Sequence, residues 1–464
     1  MMKIELIVEC SLSSIVRHQL PSVPCVAGFY GNGVIGKLDV DPESPIGVQG
    51  SASGYFLLSS KSGRPIYSSA VAAAEKAALE EQAALDKEAA KLLAVEDEKR
   101  RKRTMATEEL SNNRAPRSED GELIIKRREV HSGRAMTVST VAWSVAEKTA
   151  TPTSALEGFM WEKETEVDRF RERVPLANLV SQCRLSAADP TLPKPRDFMA
   201  PVKQVIDSSG FVIIPECKRM EPSLGSLRRR YDVEALSKMF TVANAPAICV
   251  NCDGVLFGGN LEDVKKARGA ASTAAIEQMS EDGVVVPPIL ASDLLLYPYQ
   301  LYKMSLAGAD AVNLVVGALP KKDLTYLIKI ASSLKIQSLS MVTSEVQLES
   351  LVDFPEGSIS AVIVSNRDLE DFSFDMTGEQ ALTLLKSSAM EKVKEKHGAD
   401  IPVLVEGRIG IIESPDAEGN PSALAYMEAL KAAGANGCIM GGGLIQDNKD
   451  STEVLKELQE AITN

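Results

Sequence analysis

The feature that most constrains this chain is a regular alternation of short apolar runs with amphipathic stretches, sustained from about residue 153 to the end. Apolar runs fall at 211–215, 247–251, 284–290, 311–316, 337–342, 361–365, 403–406 and 437–441. Helical patterns lie between them, at 233–240, 260–267, 299–307, 319–334, 379–397 and 422–433. Such alternation means a parallel sheet with helices outside it, and this number of units favours closure into a barrel. A doubly wound open sheet is the structural rival, but no GxGxxG follows the first run. The expected class is therefore α/β, a (βα)₈ TIM barrel preceded by a helical or disordered N-terminal extension.

Upstream of residue 153 the composition changes three times. Residues 1–68 are rich in Ser, Gly and Pro and read as a disordered arm or a targeting segment. Glu5, Glu9, Asp39, Asp41 and Glu43 are more acid than a transit peptide usually carries. Residues 69–111 are loaded with Ala, Glu, Lys and Leu, which predicts a long helix. Its larger apolar residues, Leu79, Leu85, Leu92 and Leu93, are too sparse for a coiled-coil seam, so the helix is expected to be solvated, a candidate arm for a protein partner. Residues 112–152 turn polar and read as linker, leaving 153–464 as the barrel.

Composition closes off several classes. A hydrophobic fraction of 44% with 25% charged residues is that of a soluble globular chain, and no apolar run is long enough to span a membrane. A net charge of −13 argues against a nucleic-acid partner, which needs a basic face. Cys249 and Cys252 form a CxxC, but within a strand they face opposite ways and no second pair or nearby histidine completes a metal site. With Cys10, Cys25, Cys183, Cys217 and Cys438 they read as reduced, packing cysteines. No metal is expected, and the compartment is a reducing one, plastid stroma or cytoplasm.

In a barrel of this kind chemistry sits at the C-terminal ends of the strands. Those ends include Pro215-Glu216-Cys217-Lys218-Arg219-Met220-Glu221-Pro222-Ser223, Phe257-Gly258-Gly259-Asn260, Ile289-Leu290-Ala291-Ser292-Asp293, Ser365-Asn366-Arg367-Asp368-Leu369, Glu406-Gly407-Arg408-Ile409 and Met440-Gly441-Gly442-Gly443. Ahead of them stands Trp161-Glu162-Lys163-Glu164-Thr165-Glu166-Val167, followed by Val174-Pro175-Leu176. The ordered set resembles indole-3-glycerol phosphate synthase, and most of all its plant plastid form.

The resemblance implies a cofactor-free lyase of tryptophan biosynthesis. That reaction joins C1 of an aromatic ring to a carbonyl carbon, then expels CO₂ and water. An acid must protonate the carbonyl oxygen and the leaving hydroxyl, and a base must take a ring proton. The family's acid, a lysine after the third strand, falls at Ser292, and its base, a glutamate ending the fifth, at Met341. The first asparagine of its Asn-Asn-Arg-Asp-Leu run is Ser365, and its Ser-Pro-Ser is Glu221-Pro222-Ser223. Its Glu-Ser-Gly-Ile is Glu406-Gly407-Arg408-Ile409.

The retained catalytic positions are Glu216, Lys218 and Glu406. Phe257, Asn366 and Arg367 are the implied substrate pocket. Lys218, Gly441 and Gly442 are the implied phosphate seat, with Arg408 added on its rim. Glu216 and Lys218 are two apart on one strand, so both face the mouth while Cys217 faces out. They read as an ion pair.

Losing one proton-transfer partner typically costs about 10²–10⁴ in rate. The expectation is therefore a catalytically impaired, pseudoenzyme-like barrel that keeps a residual site for a phosphorylated small molecule. The alternatives are a divergent but active synthase, and a different reaction on the same phosphate-binding barrel.

Overall fold

The computed structural model describes residues 46–50, 56–60, 115–127, 143–145, 151–278, 285–407, 409–410, 422–446 and 450–463. The expected helix at 69–111, Arg408, Cys10 and Cys25 lie outside the described residues. Within the span read as an arm, Ile46–Gly50 and Phe56–Ser60 form an antiparallel hairpin in which Val48 lies opposite Leu58.

Eight parallel strands close into a barrel. In order they are Val212–Cys217, Ile248–Asn251, Ile289–Ser292, Ala311–Val315, Gln337–Val342, Ala361–Ser365, Val403–Glu406 and Gly437–Met440. Each pairs with its successor, and the eighth returns to the first with Gly437 opposite Val212. A Cβ on Gly437 would stand 2.4 Å from the Val212 carbonyl oxygen, so this closing seam requires glycine.

The strands are apolar throughout because both of their faces are buried. Alternate residues divide into two cores. Val212, Ile214, Cys249, Leu290, Leu339, Ile363 and Leu404 fill the interior. Ile213, Val250, Ala291, Val312, Val362, Val405 and Cys438 pack outward against the helices. Cys249 and Cys252 fall into different cores, as their spacing predicts. Phe198, Met199 and Val202, at the start of helix Met199–Ser209, plug the N-terminal end of the interior. Nearby, the fully buried Asp310 carboxylate is held by Arg196 Nη2 at 2.6 Å, Arg268 Nη1 at 2.9 Å and the Ile289 amide at 2.7 Å.

Several helices begin where a short polar side chain takes up an unpaired backbone amide. Ser154 caps the front helix Ala155–Arg173, Asp232 caps Val233–Val242, and Asn260 caps Leu261–Glu277. The last of these runs well beyond the 260–267 pattern. The single helix expected over 379–397 is two, Glu379–Leu385 and Ser388–His397, because the Ser387 hydroxyl accepts from the Met390 amide and starts a new helix. The third strand begins at Ile289 rather than 284.

The span 112–152, read as linker, contains a segment that docks on the barrel. Ile125 is 1% exposed, the Trp161 indole donates to the Lys126 carbonyl at 2.6 Å, and Arg127 ion-pairs with Glu164. Glu122 accepts from the Gln347 amide at 2.8 Å and from the Ser344 hydroxyl, at the start of helix Glu345–Leu351. Residues 115–127 thus form a strap over the front helix and the end of the fifth strand. Its polar composition hid this, because its anchors are hydrogen bonds and one buried isoleucine rather than a periodic apolar stripe.

Candidate active site

The strand ends gather their polar side chains into the barrel mouth. Glu216 and Lys218 come from the first strand, Asn251 and Asp253 from the second, Ser292 and Asp293 from the third, and Asn313 from the fourth. Met341, Ser365, Arg367 and Glu406 come from the next three. Leu156 and Phe159 of the front helix, with Phe257, Leu369 and Phe372, close it from above. The cavity they enclose is small, about 70 Å³. A larger open groove of about 810 Å³ lies on the outer wall, lined by Leu185, Leu192, Lys265 and Arg268. It holds none of the strand-end side chains, so the mouth is the candidate site.

Strand alternation decides which predicted residues meet. Glu216 and Lys218 both face inward and ion-pair at 2.8 Å. Cys217 faces outward, 3.8 Å from the Ser237 hydroxyl, and burial pushes its thiol up to about 12. Ser292 and Met341 line the cavity where the family resemblance puts an acid and a base. The Ser365 hydroxyl donates to the Glu406 carboxylate and accepts from the Arg367 amide at 3.2 Å.

Asn366, expected in the pocket, is turned the other way. It is fully buried in the wall, donating to the Tyr426 hydroxyl at 2.8 Å and accepting from the Ala381 amide. One residue of register separates it from the inward Ser365 and Arg367. Gly441 stands at the turn leading into the short helix Gly442–Ile445. A Cβ there would meet Glu216 Oε2 at 2.7 Å, so the Glu216 carboxylate packs directly against the expected phosphate seat.

A chain of buried charge crosses the mouth. Lys218 Nζ lies 2.8 Å from Glu216 and 3.4 Å from Glu221, and Arg367 Nη1 lies 2.8 Å from Glu221 Oε1. Burial alone would lower Lys218, but Glu216 and Glu221 outweigh it and hold the ammonium above its ordinary range. Burial pushes Glu216 up against the pull of Lys218. For Glu221 the balance reverses: burial works to raise its carboxyl, and Arg367 and Lys218 together bring it below the usual carboxylate range. Phe257 faces both cations, its ring centre 5.4 Å from Lys218 Nζ and 5.5 Å from the Arg367 guanidinium carbon.

A second cluster had no assigned role in the sequence. Lys163 enters from the front helix and meets Asp253 at 2.5 Å, Glu166 at 2.7 Å and Asp293 at 2.8 Å. Asp253 also accepts from the amides of Val255, Leu256 and Phe257, which fixes the loop that carries Phe257 into the mouth. Lys163 stood inside the Trp161–Val167 run, but no local signal says that a helix before the barrel will bury a lysine against two distant strand ends. Among the described residues no group of three or more His, Cys, Asp or Glu side chains is arranged to hold a metal ion.

Charged groups and a glycine turn gather at the C-terminal ends of eight closed parallel strands, the arrangement of a (βα)₈ barrel. The profile of indole-3-glycerol phosphate synthase matches residues 156–396, more than half of the chain. The chain belongs to the indole-3-glycerol phosphate synthase family. It is 29% identical over 319 residues to the indole-3-glycerol phosphate synthase of Microcystis aeruginosa, covering 69% of this chain and 94% of the relative. Against that of Trichodesmium erythraeum it is 29% identical over 326 residues, covering 70% and 96%. A solved tryptophan synthase complex from Pyrococcus furiosus has a chain that is 17% identical, with a TM-score of 0.34, covering 55% of this chain and 98% of its own. That likeness is too slight to carry an argument. No helix of the described residues is long and apolar enough to cross a membrane.

Proposed function

We propose that this chain is a family member whose ring-closure chemistry is impaired, a pseudoenzyme-like barrel with a latent site for a phosphorylated small molecule. The observation that carries this reading is the pair Ser292 and Met341, which line the mouth at the ends of the third and fifth strands. A serine hydroxyl is too weak an acid at neutral pH, and a methionine thioether takes no proton. The phosphate seat is Lys218 with the Gly441–Gly442 turn. The span 69–111 is the arm through which we expect a protein partner to be met, and a reducing plastid stroma or cytoplasm suits five buried free cysteines.

The test is a steady-state assay of the full chain with the family's substrate, a carboxyphenylamino-deoxyribulose phosphate. Turnover undetectable, or more than 10²-fold below a typical value of about 10 per second, is expected. A rate within that factor would overturn the reading.

A divergent but active synthase is the second reading, and Asp293 favours it. Its carboxyl lines the cavity beside Ser292, and burial pushes it up to about 7. A group titrating there is suited to general acid work. If turnover is found, it should fall as pH rises through about 7, and Asp293→Asn should cut the rate by at least about 10²-fold and remove that fall from what remains.

A further inference from the structure

The two cations that line the mouth cavity already hold a common anion. Glu221 reaches them from a tight hairpin, Met220–Glu221 paired with Gly225–Ser226, in which Gly225 takes a φ of +82°. This short, hydrogen-bonded scaffold fixes where the side chain points. Its carboxylate is fully buried, 2.8 Å from Arg367 on the sixth strand end and 3.4 Å from Lys218 on the first. It therefore spans the mouth, as an anionic ligand would.

The surroundings favour an anion at this point. Lys218 and Arg367 are each about 5% exposed, so neither can be satisfied by bulk water. A desolvated cation without a counter-charge costs several kcal/mol. The free space left beside them is small, about 70 Å³. Yet the seat is not ideal for the carboxylate: the approach of Arg367 to Glu221 Oε1 is an ion pair without hydrogen-bond alignment, and Oε1 has no other hydrogen-bond donor. Charge holds Glu221 there more than directed bonding does, which is the condition under which another anion can take its place.

We propose that Glu221 is an internal ligand and the specificity-determining residue of this mouth: its carboxylate occupies the anion seat of Lys218 and Arg367 and excludes phosphate-bearing or carboxylate-bearing small molecules from it. This deepens the reading of an impaired barrel with a latent anion site and rests on it. The site binds small anions only when Glu221 is neutralised or withdrawn.

The experiment compares the full-length chain with Glu221→Gln and with the double variant Glu221→Gln, Lys218→Met. Melting temperature and calorimetric affinity are followed against inorganic phosphate, with chloride at matched ionic strength as the control. A ligand that binds only the folded state raises its apparent stability. The wild type should respond weakly or not at all. Glu221→Gln should bind phosphate at least tenfold more tightly and show a phosphate-specific rise in melting temperature, and the double variant should lose it.

If Glu221→Gln is too unstable to isolate in chloride, phosphate should rescue its folding where chloride does not. A folded Glu221→Gln that responds to phosphate no more than the wild type overturns the proposal, as does failure of the rescue. So does a wild type that binds phosphate as tightly as the variant. Failure of the impaired-barrel reading is seen separately, as ring-closure turnover by the wild type.

Discussion

Asp293 shows how burial sets the charge state of a mouth residue against the pull of a neighbouring cation, Lys163. Asp293 has an ordinary carboxyl value of 3.8, which burial pushes up to about 7 while Lys163 pulls it down. Between those two values the folded chain holds a proton that the unfolded chain has released. A group of this kind contributes stability that is complete below pH 3.8 and is lost as pH rises through about 7. We therefore expect the melting temperature to fall between about pH 4 and pH 7 and then level off, a fall that Asp293→Asn removes. A thermal melt series on both proteins reads this directly, and an unchanged pH slope in the variant would sink the assignment. That Glu216 and Lys218 face inward was legible, because alternation along the first strand fixes them. Asn366 was assigned to the pocket by the resemblance alone, and the register of the sixth strand turns it into the wall instead.

Among the elements, the strap at 115–127 changes where the folded unit begins. It buries Ile125, lends the Lys126 carbonyl to Trp161 and ties Glu122 to the helix that follows the fifth strand. Removing residues 1–140 should therefore lower the melting temperature by several degrees relative to removing residues 1–110, which spares the strap. Ile125→Ala alone should cost about 2–5 kcal/mol in urea unfolding, the usual range for emptying a buried branched site. Equal melting temperatures for the two truncations would mean that the strap contributes nothing to the barrel. The strap escaped the sequence reading because its short polar turn, with Gly121 donating to the Ser118 carbonyl at 3.0 Å, has no periodicity. The break at Ser387 escaped for a related reason: a serine within an amphipathic pattern becomes a cap only when the chain direction changes there.

Across the whole molecule, stability and chemistry are placed at opposite ends of the barrel. The N-terminal end is sealed by Phe198, Met199 and Val202 and by the Asp310 network, which links the third and fourth strands to Arg196 and Arg268. Asp310→Ala leaves two partly buried arginines without their shared carboxylate and strips the Ile289 amide of its acceptor. Such a loss typically costs about 3–5 kcal/mol. Denaturant melts should show it, while the anion response of a Glu221→Gln background should be unaltered in the protein that remains folded. A change at the mouth instead would mean that the two ends are coupled.

The sequence by itself determined the barrel, since eight buried strands separated by amphipathic helices leave little choice of architecture. That Ser292 and Met341 stand where proton-transfer groups are expected came from the family resemblance rather than from any local property of the strands. Only the tertiary structure decided that Glu221 reaches Arg367, that Lys163 meets Asp253 and Asp293, and that the strap at 115–127 belongs to the barrel. Each of those contacts joins residues far apart in the chain through charge or single hydrogen bonds. Such interactions leave no periodic trace in a sequence and take their partners from the closed barrel.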